Sequence, residues 1–215
     1  MQPTDLLNQR HSTRRFANQP VPLDLLKTII TEAQRSPSWE NTQPWKLYLA
    51  VGQTAAKIRN SHAAHAQAHD KSWTEVVPPK EWAAHPQANM DQWSQDLKSQ
   101  LSAPDVDDFM QAQGQLFDAP AILYITIPKD ASSYSVYDAG GFGNSLVLAA
   151  YNHGVDSVTA YEFIRFPAEV REQFAIPADE SLLIGIGLGY ATSSKVNKFQ
   201  TQREPLADIL QISGQ

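Results

Sequence analysis

Three short and almost unbroken apolar runs constrain this chain most: Lys46 to Val51, Ala121 to Ile127 and Ser181 to Tyr190. Each has the length of a strand and is rich in Leu, Ile or Val. Runs that do not alternate with polar residues belong to strands covered on both faces. The sheet they form is therefore expected at the centre, with helices packed on either side. A further strand is expected near Val155 to Ala160. Helical spacing follows Pro22 through Leu23, Leu26, Ile29, Ile30 and Ala33, with proline in the position that opens a helix. Further helices are expected over Gln53 to Asp70, Asn89 to Leu101, Asp105 to Phe117, Tyr137 to His153 and Pro167 to Ala175, with Gly154 stopping the fifth. Helices outnumber strands, so the class is α+β with a central sheet.

Composition narrows the chemistry. A chain of 215 residues buries roughly 70% of its unfolded surface, enough for a real core. It reads as a single domain over 1–215 with an elaboration at about 61–115. There are no cysteines, so thiolate metal sites, disulfides and a cysteine nucleophile are excluded. Lys plus Arg is 17 against 23 for Asp plus Glu, a formal charge of −6 that argues against nucleic acid as a partner. Met1 to Gln9 is polar with no apolar stretch behind it, and no run is long enough to span a membrane. The expected setting is cytoplasmic, with no membrane partner.

Candidate functional residues fall into separate stretches. Arg10-His11-Ser12-Thr13-Arg14-Arg15-Phe16 puts guanidinium groups and a hydroxyl close together, a set suited to a phosphate. If this stretch were helical, Arg10 and Arg14 would face each other as like charges. The alternative is a solvated basic turn. Ser36-Pro37-Ser38-Trp39-Glu40-Asn41-Thr42-Gln43-Pro44-Trp45 is a stiff loop rich in amides and hydroxyls, with Trp45 expected in the core. Gly185, Gly187 and Gly189 only mimic a dinucleotide fingerprint because no helix follows them, and Gly140-Gly141-Phe142-Gly143 lacks a P-loop lysine. All these glycines are read as close-packing positions. His62, His65 and His69 share a helix face that suits either a metal or plain solvent exposure. Ser72 to Pro86, with Trp73 and Trp82, reads either as an excursion over a site or partner, or as a surface loop pinned by its tryptophans.

Taken in order, these stretches resemble the nitroreductase family of flavin enzymes. The resemblance rests on Arg10 to Phe16, on Ser36 to Trp45, on Phe117-Asp118-Ala119-Pro120, on Asp138 to Gly154, and on Gly187 to Tyr190 followed by Asn197 and Arg203-Glu204-Pro205-Leu206. It implies a nitroreductase-like fold: a central, mainly antiparallel sheet flanked by helices, in an intertwined homodimer with FMN at the subunit interface.

By that resemblance Arg10, Ser12 and Arg203 hold the FMN phosphate, with His11 beside them and Thr201 where relatives often carry lysine. Arg14 reaches the ribityl chain and the pyrimidine edge. Pro37, Ser38 and Trp39 come from the other subunit, with Asn41 and Gln43 shaping the site. The backbone of Ala160, Tyr161 and Glu162 faces flavin N5. The implied activity is hydride transfer from NADH or NADPH to a small electron-poor acceptor, a nitroaromatic or quinone, by a ping-pong cycle. No catalytic side chain and no metal are implied, because the flavin carries the hydride. The other readings are a different reaction on the same fold (enone reduction, dehalogenation, flavin fragmentation) and an FMN-binding protein without turnover.

Overall fold

The computed structural model describes residues 3–214, with side chains from Leu6 onward; the polar opening thus lies outside the described residues at Met1 and Gln2. Helix α1 spans Pro3–Gln9 and is followed by an extended segment, then by α2 (Leu23–Ala33). Strand β1 (Lys46–Val51) runs into α3 (Gly52–Gln67), and α4 (Ala84–Gln100) and α5 (Ala103–Gly114) form the excursion before β2 (Ala121–Pro128). The second half contains α6 (Ser133–Asn152), β3 (Asp156–Ala160), α7 (Pro167–Arg171), β4 (Glu180–Gly189) and the single turn α8 (Leu206–Ile209).

The four strands form one sheet in the order β1-β2-β4-β3, with every pair antiparallel. Strand β2 is buried along its length except at Pro128, as an unbroken apolar run requires. Its side chains still alternate between two cores. Leu123, Ile125 and Ile127 point into a cluster with Leu26, Ile29, Phe142 and Leu146 from α2 and α6. Ile122 and Tyr124 point the other way, among Ala55, Ile58, Phe163 and Val170. Trp45 stacks on Phe142 at 5.0 Å in the first of these cores. A third cluster joins Leu97 of α4, Leu101 between α4 and α5, and Phe109 of α5 to Val196 and Phe199.

Several boundaries differ from the sequence expectation. Helix α4 begins at Ala84, taking in Pro86, which is tolerated in a first turn because the N–H it lacks has no partner there. Helix α6 starts a turn early, at Ser133, and α7 ends at Arg171. Helix α5 ends at Gly114, because Leu116, Phe117 and Asp118 take left-handed φ values of 47°, 60° and 61°. The stretch 72–86 is not pinned by its tryptophans, which are both exposed. Glu75 holds it instead, pairing with Arg171 at 2.7 and 2.9 Å and accepting the Leu182 N–H at 2.7 Å.

The glycines divide. Gly185, Gly187 and Gly189 lie on one face of β4, where an added Cβ would meet Phe163, Phe163 again, and Pro120 with Phe16, at 2.3, 2.7 and 2.7 Å. Gly140 and Gly141 of α6 have nothing within 4 Å of such a Cβ, so they are not close-packing positions within this chain.

Nor is the histidine face a metal set: among the described residues no group of three or more acidic or histidine side chains is placed to hold an ion. His62 is fully buried, its two ring nitrogens 3.0 Å from Glu169 and 3.0 Å from Glu162. His65 turns to Asp70, and His69 lies beyond the helix at φ 56°. Burial pushes the His62 pKa down, but the hydrogen bonds and charges of the two carboxylates outweigh it and raise it. Both nitrogens face carboxylate oxygens, so the imidazolium is the form that fits.

Two tests follow from this packing. Gly185→Ala forces Phe163 aside and is expected to cost about 3 kcal/mol, whereas Gly143→Ala, with its nearest atoms at 3.7 Å, is expected to be neutral or gain about 0.5 kcal/mol by urea unfolding. A raised His62 pKa means that its contribution to stability is full below about pH 6.5 and is lost as pH climbs through the raised value. Unfolding midpoints should therefore fall on the alkaline side. His62→Gln should abolish that arm and cost about 3 kcal/mol by leaving the buried Glu169 uncompensated, while Glu162 keeps Arg165 at 3.0 Å.

Candidate functional site

The basic stretch near the amino end is extended, not helical. Helix α1 closes at Gln9, and the chain then runs beside the sheet edge, with Ser12 bridging Ser157 and Phe16 bridging Ala191. Backbone bonds from Thr13 N to Ser157 O (2.9 Å) and Ala17 N to Tyr190 O (2.8 Å) fix this course, and Phe16 is buried against Gly189. In extended chain, alternate residues share a face. Arg10, Ser12 and Arg14 are thus presented together, and Arg15 points away. Its guanidinium is held by Asp108 at 2.6 Å and Asp118 at 2.8 Å.

The carboxyl-terminal segment is brought to the same place by Asn197. This buried amide accepts the backbone N–H groups of Arg14 (2.7 Å) and Arg15 (2.9 Å). It donates to the carbonyls of Arg15 (2.8 Å) and Thr192 (3.1 Å). The chain that follows carries Phe199, Thr201 and Arg203 over the arginine face.

The result is a cleft of about 240 Å³ lined by Arg10, His11, Ser12, Arg14, Phe199, Thr201 and Arg203, among others. Arg14 is partly buried, and burial pushes its pKa down to about 10. Burial, then the charge of Arg203, lowers that of Arg10. Among the described side chains, none of the three guanidinium groups makes an ion pair. Among the described residues the Arg14 guanidinium donates only to the Ser12 carbonyl, at 3.2 Å, and Arg203 bonds Thr201 Oγ1 at 2.7 Å. Three converging cations without counter-charge make an anion site, and the hydroxyl of Ser12 adds a neutral donor.

Two larger clefts adjoin it. One of about 500 Å³ shares Arg10 and Ser12 and runs between α6 and the sheet, past Ala139, Gly143, Thr159, Leu183 and Ile186. The other, of about 510 Å³, shares Thr201 and Arg203 and is walled by Asn89, Trp93 and Asp96 of α4.

The remaining sequence-predicted residues do not reach the arginine cleft of their own chain. Pro37, Ser38, Trp39, Asn41 and Gln43 lie on the α2–β1 loop, which is tied to α6: Trp39 N donates to Asp138 at 3.0 Å, and the Ser36 and Ser145 hydroxyls bond at 2.6 Å. Asn41 and Gln43 take left-handed φ values of 61° and 44°, held by a bond from Gln43 to Asn41 Oδ1 at 3.0 Å. Ala160 ends β3, paired with Gly185, and the Tyr161 hydroxyl bonds Thr74 at 3.2 Å. The Glu162 carboxylate turns inward to His62 and Arg165, each at 3.0 Å. Sequence reasoning gave no role to Asn197, Phe109, Ser157 or Thr159. Asn197 alone stood in a quoted motif; nothing local marks the others.

Comparison with known proteins bears on the fold and the family. A model of the nitroreductase family matches residues 7–190. A 4-nitrobenzoate reductase of Nocardioides sp. (strain LMS-CY) is 26% identical over 211 residues, covering 94% of this chain and 85% of its own. A nitrobenzene nitroreductase of Ectopseudomonas oleovorans is 28% identical over 202 residues, covering 88% and 87%. The crystal structure of the FMN-dependent nitroreductase NfnB from Mycobacterium smegmatis, in complex with NADPH, superposes with a TM-score of 0.89. It is 20% identical, with 98% of this chain and 97% of that one covered, which establishes a shared fold. With the match running from before the basic segment to the end of the glycine-striped strand, the chain belongs to the nitroreductase family.

Proposed function

We propose that this protein is an FMN-dependent oxidoreductase that passes hydride from NADH or NADPH to an electron-poor acceptor of the nitroaromatic or quinone class. The observation that carries the proposal is the convergence of Arg10, Arg14 and Arg203, from opposite ends of the chain, on one cleft with Ser12. A phosphate dianion matches Arg10, Arg203 and the Ser12 hydroxyl in charge and donor chemistry, and Arg14 supplies a further cation for the rest of the same ligand. The adjoining apolar cleft between α6 and the sheet suits a flat ring system.

In this reading Arg10, Ser12 and Arg203 hold the phosphate of FMN. Arg14 sets a fixed positive charge at the pyrimidine edge, where it favours the reduced, anionic flavin. The bound flavin supplies the hydride chemistry. The protein's part is to bind, orient and shield, and no side chain acts as acid, base or nucleophile. Donor and acceptor take turns in one place, which gives ping-pong kinetics. Relatives named for nitrobenzoate and nitrobenzene reduction support the acceptor class.

The proposal includes a homodimer. Three features support it: Pro37 to Gln43 lie away from their own chain's cleft, α6 exposes Tyr137, Gly140, Gly141 and Asn144, and the last residues expose Leu206, Ile209, Leu210 and Ile212. In a dimer the partner's loop completes the site and Trp39 and Tyr161 become pocket walls. The setting proposed is cytoplasmic, where both nicotinamide donors are available. No helix among the described residues is long and apolar enough to cross a membrane.

Purified protein loaded with FMN should run at twice the monomer mass and show a flavin spectrum. Anaerobic NADH or NADPH should bleach it, and a nitroaromatic or quinone should restore the colour. Protein that takes up no FMN overturns the proposal; FMN binding without oxidation of either donor, whatever the acceptor, leaves a flavin-binding protein and overturns the enzyme reading.

A further inference from the structure

The excursion between β1 and β2 has a second consequence for the arginine cleft. Asp108 and Phe109 are neighbours on α5, and they meet neighbours on the amino-terminal segment. Asp108 takes Arg15 as an ion pair at 2.6 Å. Phe109 takes Arg14, whose guanidinium carbon lies 5.2 Å from the ring centre. Phe199, from beyond Asn197, meets the same guanidinium at 5.3 Å. The two rings stand at 88° to each other with centres 6.4 Å apart, and they are 3% and 1% exposed. Trp93 of α4 closes on both, at 6.0 and 5.9 Å.

We infer that Phe109 and Phe199 form an aromatic cage that positions the Arg14 guanidinium for the flavin while leaving its charge uncancelled. Aromatic faces attract a cation through their quadrupole without neutralising it. A carboxylate in the same place would hold Arg14 as firmly but would spend its charge, as Asp108 and Asp118 do for Arg15. The cage leaves most of the Arg14 N–H groups free, since among the described residues its side chain bonds only the Ser12 carbonyl. It also selects arginine over lysine, because a flat guanidinium stacks on rings and a hydrated ammonium does so less well. Phe109 and Phe199 are positioning residues, and the α4–α5 excursion exists in part to supply this support. The inference rests on the flavin reading of the cleft.

The test is a double-mutant cycle on FMN affinity, measured by fluorescence quenching on apoprotein. Phe109→Leu and Phe199→Leu are each expected to weaken FMN about fivefold to tenfold. In an Arg14→Ala background the same changes should have no further effect. The midpoint potential of bound flavin should fall in Phe109→Leu, a shift that a loss of general packing does not predict. Should the phenylalanine variants fail to fold, Arg14→Lys keeps the charge and leaves the core intact, and it should still weaken FMN about fivefold. Equal losses in both backgrounds, no loss at all, or full affinity in Arg14→Lys would overturn the cage. Wild-type apoprotein that binds no FMN removes the flavin reading and the cage with it, whereas FMN binding without coupling removes the cage alone.

Discussion

One buried amide ties the two ends of this chain together. Asn197 accepts two backbone N–H groups from the arginine segment and returns two donors to backbone carbonyls. An amide side chain is suited to this because it carries an acceptor and two donors in one plane, so it can replace a partner strand at a place where none is available. The cationic cleft depends on it, since Arg10 and Arg14 come from before β1 and Arg203 from after β4. Four satisfied bonds in a buried setting also make the join directional, and loss of any of them strands a backbone group.

The charges of the molecule sort into two kinds by how they are compensated. Arg15 and His62 are each flanked by two carboxylates and Arg171 is paired with one, and each fastens elements that are distant in sequence. Those pairs hold structure: Arg171 and Glu75 keep the excursion against the sheet, and His62 with Glu162 and Glu169 locks α3 to the turn after β3 and to α7. Arg10, Arg14 and Arg203 have no such partner among the described side chains, and burial lowers the pKa of the first two. A fold that leaves three guanidinium groups close together without acids is less stable than it need be, and an anion removes that cost.

Much of the frame was legible in the sequence because the relevant signals are local. Unbroken apolar runs placed β1, β2 and β4 to within a residue or two, and Gly185, Gly187 and Gly189 at a spacing of two marked a face that another chain segment must approach closely. The motif residues Arg10, His11, Ser12, Arg14, Thr201 and Arg203 do share a cleft. What was not legible depends on long-range contacts. The arginine segment is extended because it pairs with Ser157 and Tyr190, and its own composition carries no trace of that. His62 looked like part of a solvated helix because its two carboxylate partners lie a hundred residues or more away. The Phe109 cage was invisible for the same reason, and the left-handed turn at Leu116 to Asp118 contains no glycine to announce it.

The central claim is that guanidinium groups from both ends of the chain grip one phosphate, and comparison of FMN with riboflavin tests it most directly. The two ligands share the ring and the ribityl chain and differ only in that group. The account predicts that apoprotein binds FMN at least about a hundredfold more tightly than riboflavin, and that Arg203→Ala removes most of that difference while leaving riboflavin binding unchanged. Equal affinity for the two ligands in the wild-type protein would contradict it.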